Sequence, residues 1–249
     1  MGKDRKRMVS KLFRQQDYAA PEKRGLKIGS SGVVNQIVEQ IEIGVLFGEY
    51  KPREHLVQDK LAKKYSVERN IVRAALKRLE EKGVLLHFPN QGCMVNDLTA
   101  KNAKDLYHVR FLLEESAARI ATSKVTPDIL HQLKSLSDEM EKHLRENQLK
   151  AFVFAHERFH QLLFETADNS YLLRMIQELR SASASVRNFS YSRYSLPETK
   201  THLFDEHKRM IILLKKREAK KLGDLSKSHI KAGINHYLKA IFPGEPLVQ

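Results

Sequence analysis

The chain has 249 residues, 44 Lys+Arg against 30 Asp+Glu, a formal charge of +14 and a pI near 9.7. That excess favours a polyanionic partner, nucleic acid or an acidic membrane surface. The single cysteine, Cys93, excludes an internal disulfide and fits a reducing cytoplasm. The longest apolar run, Met210 to Leu214, is far too short to span a bilayer.

Residues 1–30 are polar and basic, punctuated by Pro21, Gly25 and Gly29, and read as a flexible basic arm without the apolar core of a secretory signal. Over residues 1–97 there are 19 Lys+Arg against 12 Asp+Glu, so the positive excess is denser at this end. Ser30 or Ser31 suits a cap for a helix from Val33 to about Phe47, with Val34, Ile37, Val38 and Ile41 on its inner face. Lys51-Pro52-Arg53 reads as a turn.

Leu56 to Gly83 is the most informative stretch. It divides into a short helix (Gln58 to Tyr65), a break at Ser66-Val67-Glu68, and a second helix that Gly83 stops. Val72, Ala75, Leu76 and Leu79 fall at i, i+3, i+4 and i+7 and make one buried stripe. Arg69, Asn70, Arg73 and Lys77 are left on the outer face, where guanidinium and amide groups suit base edges and lysine suits phosphate. This is a helix-turn-helix. After Gly83, two short apolar runs flank Phe88-Pro89-Asn90-Gln91-Gly92 and read as a hairpin.

Gly48-x-x-x-Pro52, Leu56, Leu61-Ala62, Val67-x-Arg69-x-x-Val72-Arg73-x-Ala75-Leu76-x-x-Leu79 and Gly83 together resemble the winged N-terminal domain of GntR-type bacterial repressors. The resemblance implies a winged helix-turn-helix over residues 31–97 that binds a double-stranded DNA operator. It makes the hairpin a wing that positions DNA through Asn90, Gln91 and the Gly92 backbone. The chain departs from the family at Ser66 (usually Gly), Glu68 (usually Ser) and Ile71 (usually Pro). Glu68 at the start of the recognition helix either accepts from cytosine N4 or repels phosphate, so the operator sequence does not transfer.

Beyond residue 98 the pattern is helical throughout. Thr99 suits a cap for a helix to Thr122 with Leu106, Val109, Leu113, Ala117 and Ile120 as its inner line; Thr126-Pro127 opens a helix ending near Asn147. Further helices are expected over 151–166, 170–195, 198–217 and 218–241. Pro197 should halt the first-named long one, and Gly223 and Gly233 should weaken the last. Six amphipathic helices over residues 98–243 make an antiparallel bundle, so the fold class is mainly α with a small β-hairpin wing. Its broad apolar faces suit a homodimer on two operator half-sites.

Arg110-x-x-x-Glu114, Phe159-His160, Ala167-Asp168-Asn169-x-x-Leu172, Glu206-His207 and His229 resemble, in order, the all-helical effector domain (FCD-type) of the FadR/VanR-like GntR branch. In its metal-binding members an Asp and a His, four apart on one helix, join two histidines from the last two helices. That implies His160, His207 and His229 as ligands of a divalent ion (Zn, Ni or Mn). His156 stands at the family's Asp position and is either a fourth nitrogen ligand or the mark of a weakened site. Open metal positions accept a carboxylate, and Arg110 suits bidentate pairing with a small organic acid effector.

Two other readings remain. His156-Glu157-x-x-His160 literally matches the H-E-x-x-H motif of zinc hydrolases, though Leu163 and Thr166 stand where one such family continues with Gly and His. An architectural DNA-binding protein with a purely dimerising bundle is the other. The expectation is a cytoplasmic, non-enzymatic transcriptional repressor that binds a palindromic operator, responds to a small acid, and has no membrane partner.

Overall fold

A computed structural model describes residues 30–89, 91–192 and 197–248, with residues 30, 192 and 197–204 described by their backbone alone. Residues 1–29 of the expected basic arm, and Asn90 at the wing tip, lie outside the described residues. The first part of the chain comprises α1 (Ser30–Leu46), β1 (His55–Leu56), α2 (Gln58–Tyr65), α3 (Arg69–Glu81), β2 (Leu85–Phe88) and β3 (Gly92–Val95). The strands form one antiparallel sheet in the order β1-β3-β2, with His87 opposite Cys93 and His55 opposite Met94. The two-residue β1 is an addition to the expected hairpin. It lies just beyond the Lys51-Pro52-Arg53 turn and is too short to leave a period-two pattern.

The α2–α3 turn forms because Ser66 takes a left-handed φ of 53°, its N–H bonding back to Lys63. Gly83 ends α3 at φ 70°, which costs glycine nothing. Ile41, Leu61, Val72, Ala75, Leu76, Leu79, Leu85 and Val95 fill the core between the helices and the sheet. The buried stripe of α3 is the expected one.

The second part is a bundle of α4 (Ala100–Lys124), α5 (Pro127–Arg145), α6 (Leu149–Glu165), α7 (Ser170–Ala182), α8 (Ala184–Ser192), α9 (Pro197–Lys215) and α10 (Ala219–Ile241). Side chains cap three of these: Thr99 Oγ1 accepts from Asn102 N, Thr126 Oγ1 from Ile129 N and Asn169 Oδ1 from Leu172 N. Among the described residues no helix is long and apolar enough to cross a membrane.

The bundle departs from expectation in three places. The helix expected over 170–195 is two, α7 and α8, broken at Ser183. There Ser183 Oγ donates to the Leu179 and Arg180 carbonyls, and Arg187 donates to Arg180 O through Nε and Nη2. Side chains thus take the Arg180 carbonyl, which a continuous helix would cover, while Leu179 O also keeps the Ser183 backbone N–H. The inner face of α4 also differs: Tyr107, Arg110, Phe111 and Glu114 are buried while Val109 is 40% exposed. Arg110 Nε and Glu114 Oε1 pair inside, which turns the face away from the purely apolar line. Finally, α9 takes Pro197 as its first residue, where the expected helix began at 198, as proline does at a first helical position; 193–196, where the preceding helix was expected to halt, lie outside the described residues.

Of the two glycines of α10, Gly223 is the closely packed one, while Gly233 has ordinary room around it. A Cβ at Gly223 would lie 2.6 Å from Arg119 Nε, and the Gly233 carbonyl accepts from Ser190 Oγ at 2.9 Å. Helix α8 joins the two parts of the molecule. Ala184 sits in the winged core, Asn188 Nδ2 donates to Leu46 O at 2.8 Å, and Ser185 Oγ donates to Asn96 O at 3.3 Å. Phe47 stacks on Phe154 of α6 with ring centroids 6.4 Å apart.

Candidate functional site

On the winged part, Arg69, Asn70, Arg73 and Lys77 all project from the exposed face of α3, with Glu68 exposed immediately before it. Their arrangement follows from the stripe that buries the opposite face. Arg69 Nε is held by Asp59 of α2 at 3.0 Å, and Asn70 Oδ1 accepts from Ile71 N at 2.7 Å. Glu68 makes no side-chain cap to the helix. Gln91 is exposed at the wing, and Gly92, at φ 83°, is where β3 begins.

Inside the bundle, α6, α9 and α10 bring four histidines together. His156 and His160, one turn apart on α6, meet His207 and His229, and one ring nitrogen from each lies within 4.8 Å of the others. All four are buried. The Nε2 atoms of His156 and His160 are 3.3 Å apart, and those of His160 and His207 are 3.2 Å apart. An imidazole tetrahedron around zinc, with bonds of about 2.0–2.1 Å, has edges of about 3.3–3.4 Å, so the His156–His160 and His160–His207 pairs match such an edge within a cluster whose nitrogens spread over up to 4.8 Å.

The outer shell favours the same reading. His229 Nδ1 meets Glu206 Oε2 at 2.7 Å, which leaves its Nε2 for the cluster, and His156 Nδ1 meets Tyr191 OH at 3.2 Å. Such partners fix tautomer and ring orientation. Burial, and then the neighbouring imidazoles, push His160 well below the ordinary histidine range, so it is neutral and ready to act as a ligand.

Beside the histidines runs a chain of buried charges. Arg110 Nε donates to Glu114 Oε1 at 2.7 Å and its Nη1 to Ser183 Oγ at 3.2 Å. Arg180 donates to Glu157 Oε2 at 2.8 Å, and Arg187 and Tyr191 both donate to Glu157 Oε1. Burial alone would raise the Glu157 carboxyl, but Arg180 and Arg187 outweigh it and hold it well below the usual carboxylate range. A carboxylate held ionised by two arginines is a poor base toward water, which counts against the H-E-x-x-H hydrolase reading.

Several of these groups, among them Arg110, Glu114, His156, His160, Arg187 and His229, line one cavity of about 50 Å³. The structure therefore gathers His156, His160, His207, His229 and Arg110 into one region, with Arg110 already committed to Glu114. Sequence reasoning passed over Arg180, Arg187 and Tyr191, and it quoted Glu206 beside His207 without giving it a role. Arg180 and Arg187 are seven apart, two helical turns, which was the one legible sign that they share a face; Glu206 is the neighbour of a quoted histidine.

The family profile described as "FCD domain" matches residues 105–232, and the profile described as "Bacterial regulatory proteins, gntR family" matches residues 33–95. The chain is 26% identical over 202 residues to the uncharacterized HTH-type transcriptional regulator YdhC of Bacillus subtilis (strain 168), covering 81% of this chain and 87% of that protein. It is 26% identical over 180 residues to the HTH-type transcriptional repressor RspR of Escherichia coli (strain K12), covering 72% and 78% respectively. The solved structure of E. coli McbR/YncC superposes with a TM-score of 0.77 at 18% identity, over 84% of this chain and 98% of that one, a likeness of fold.

Proposed function

The chain belongs to the gntR family of bacterial regulatory proteins and carries an FCD domain, and on that premise we propose that it is a ligand-responsive repressor. A homodimer holds a palindromic operator through Arg69, Arg73 and Lys77 of each recognition helix, with Asn70, Gln91 and Gly92 completing the contact. Phosphate contacts by the basic side chains supply salt-sensitive affinity, and α3 reads base edges. His156, His160, His207 and His229 hold a divalent ion (Zn, Ni or Mn). Once bound, that ion supplies coordination positions for a carboxylate. The chain's own part is to present neutral imidazoles, fixed from behind by Glu206 and Tyr191, and to set arginines beside them that attract a small acid.

The observation that carries the proposal is the double duty of α8. Arg187 and Tyr191 on this nine-residue helix face the cavity, while Ala184, Ser185 and Asn188 of the same helix pack against or bond the winged part. A ligand that prefers one setting of Arg187 and Tyr191 thereby shifts α8 and the winged units it carries.

The test is selection of an operator from random DNA, with sedimentation of the free protein. An inverted repeat with half-sites about one helical turn apart, bound by a dimer, is expected. A monomer at micromolar concentration that selects a site without symmetry contradicts the proposal. A thermal-shift screen blank for every metal and acid would instead favour an architectural protein whose bundle only dimerises.

A further inference from the structure

On its leading turns the exposed face of α3 offers several hydrogen-bond donors and one uncommitted acceptor. Arg69, Asn70 and Arg73 are exposed there. Asn70 Oδ1 accepts from Ile71 N at 2.7 Å, the N–H that a side chain at the N-cap ordinarily takes, so Asn70 presents only its Nδ2 hydrogens to a partner. The nearby carboxylate of Asp59 on α2 is occupied by Arg69 Nε at 3.0 Å. Glu68 is left over. Its backbone carbonyl accepts from Val72 N at 3.3 Å and so begins the helix. Its exposed side chain makes no cap and has no hydrogen-bond or ion-pair partner among the described residues. Glu80 and Glu81 stand about three turns further along α3, away from the N-terminal residues with which a recognition helix meets base edges.

The major groove presents only two kinds of donor to such an acceptor, the N6 amino group of adenine and the N4 amino group of cytosine. Adenine N6 lies between two acceptors, N7 of its own base and O4 of the paired thymine, and both repel a carboxylate. Cytosine N4 has only O6 of the paired guanine beside it, and that oxygen, with N7, is what an arginine of the same face can take. Resting on the reading of α3 as the DNA-recognition helix, we infer that Glu68 reads cytosine in each operator half-site by accepting from its N4 amino group. It is then the specificity-determining residue for one base pair, and the arginines around it offset the charge it brings to DNA.

Operator selection from random DNA, run with the full-length protein and with Glu68→Gln, tests this. The side chain has no partner to lose, so the variant keeps its fold. Wild type should enrich cytosine at one position of each half-site, and replacing that C·G pair by T·A should weaken binding about fivefold or more. Glu68→Gln should lose cytosine at that position and move towards adenine, because an amide donates to N7 while accepting from N6. The other positions should stay as they were. A carboxylate that merely repels phosphate gives a different pattern: Glu68→Gln then binds every sequence more tightly, with a steeper salt dependence and the same base preferences. That pattern overturns the inference, as does any site whose bases depend on Arg73 but not on Glu68. If wild type enriches no sequence, or if the Arg69→Ala, Arg73→Ala double variant enriches the same one, the recognition-helix reading is itself wrong and the inference falls with it.

Discussion

Glu157→Gln is the substitution that bears hardest on the buried network. Glu157 is 7% exposed and accepts from Arg180 at 2.8 Å and from Arg187 and Tyr191. Neutralising it keeps the shape but leaves two buried guanidinium groups short of a counter-charge, with only Glu114 at 3.5 Å from Arg180 to compensate. Breaking a buried pair by removing one partner costs about 3–5 kcal/mol. Glutamine retains an acceptor, so the loss should sit near the lower end, and urea denaturation at neutral pH reads it directly. The pH dependence follows in sign. The folded carboxyl lies well below its unfolded value of about 4.3, so its stabilisation is present above that value and is lost as pH falls through and below it. Wild type should therefore lose stability steeply below about pH 5, and the variant less so. A variant within about 1 kcal/mol of wild type at neutral pH, with an unchanged acid limb, would refute the reasoning.

Three further outcomes are expected. Arg73→Ala, on the exposed face of α3, should cost roughly 1–3 kcal/mol of specific operator binding and flatten its salt dependence, measured by fluorescence anisotropy across salt concentrations. His207→Ala should abolish metal-dependent thermal stabilisation while leaving the unliganded protein's operator binding largely intact. In wild type that stabilisation should persist as pH falls through about 6.5 and fade only further down, because burial holds the folded His160 well below the ordinary histidine range and it binds metal as long as it is neutral. Ser66→Gly should stabilise the winged part by up to about 1 kcal/mol in thermal unfolding, since Ser66 holds φ 53° in the region that glycine enters freely.

Much of this was legible in the residues. The stripe Val72, Ala75, Leu76 and Leu79 has one solution, and it places Arg69, Arg73 and Lys77 outward with no further information. The histidines were legible only through the family resemblance, because nothing in a linear spacing of 47 residues between His160 and His207 says that they meet. Where periodicity failed, charge was the cause. Helix α4 turned inward the face that carries Arg110 and Glu114, since opposite charges one turn apart offset much of each other's cost of burial, and Val109 was displaced to the surface. The break at Ser183 was hidden for a related reason: the groups that take the α7 carbonyls are side chains, Ser183 and Arg187, rather than a glycine or proline. Glu157 shows how local motif and surroundings diverge, for the same glutamate that completes H-E-x-x-H is the counter-charge of two arginines from α7 and α8.

The central claim is that occupancy of the bundle sets the DNA affinity of the winged part, and one titration tests it most directly. Affinity for the selected operator is measured at constant salt in chelator, with zinc, and with zinc plus lactate. The account predicts that zinc with the acid changes operator affinity by about 5–150-fold, and that operator DNA changes the affinity for the acid by the same factor, as linkage requires. Identical operator affinity in all three conditions, with the acid bound, would contradict it.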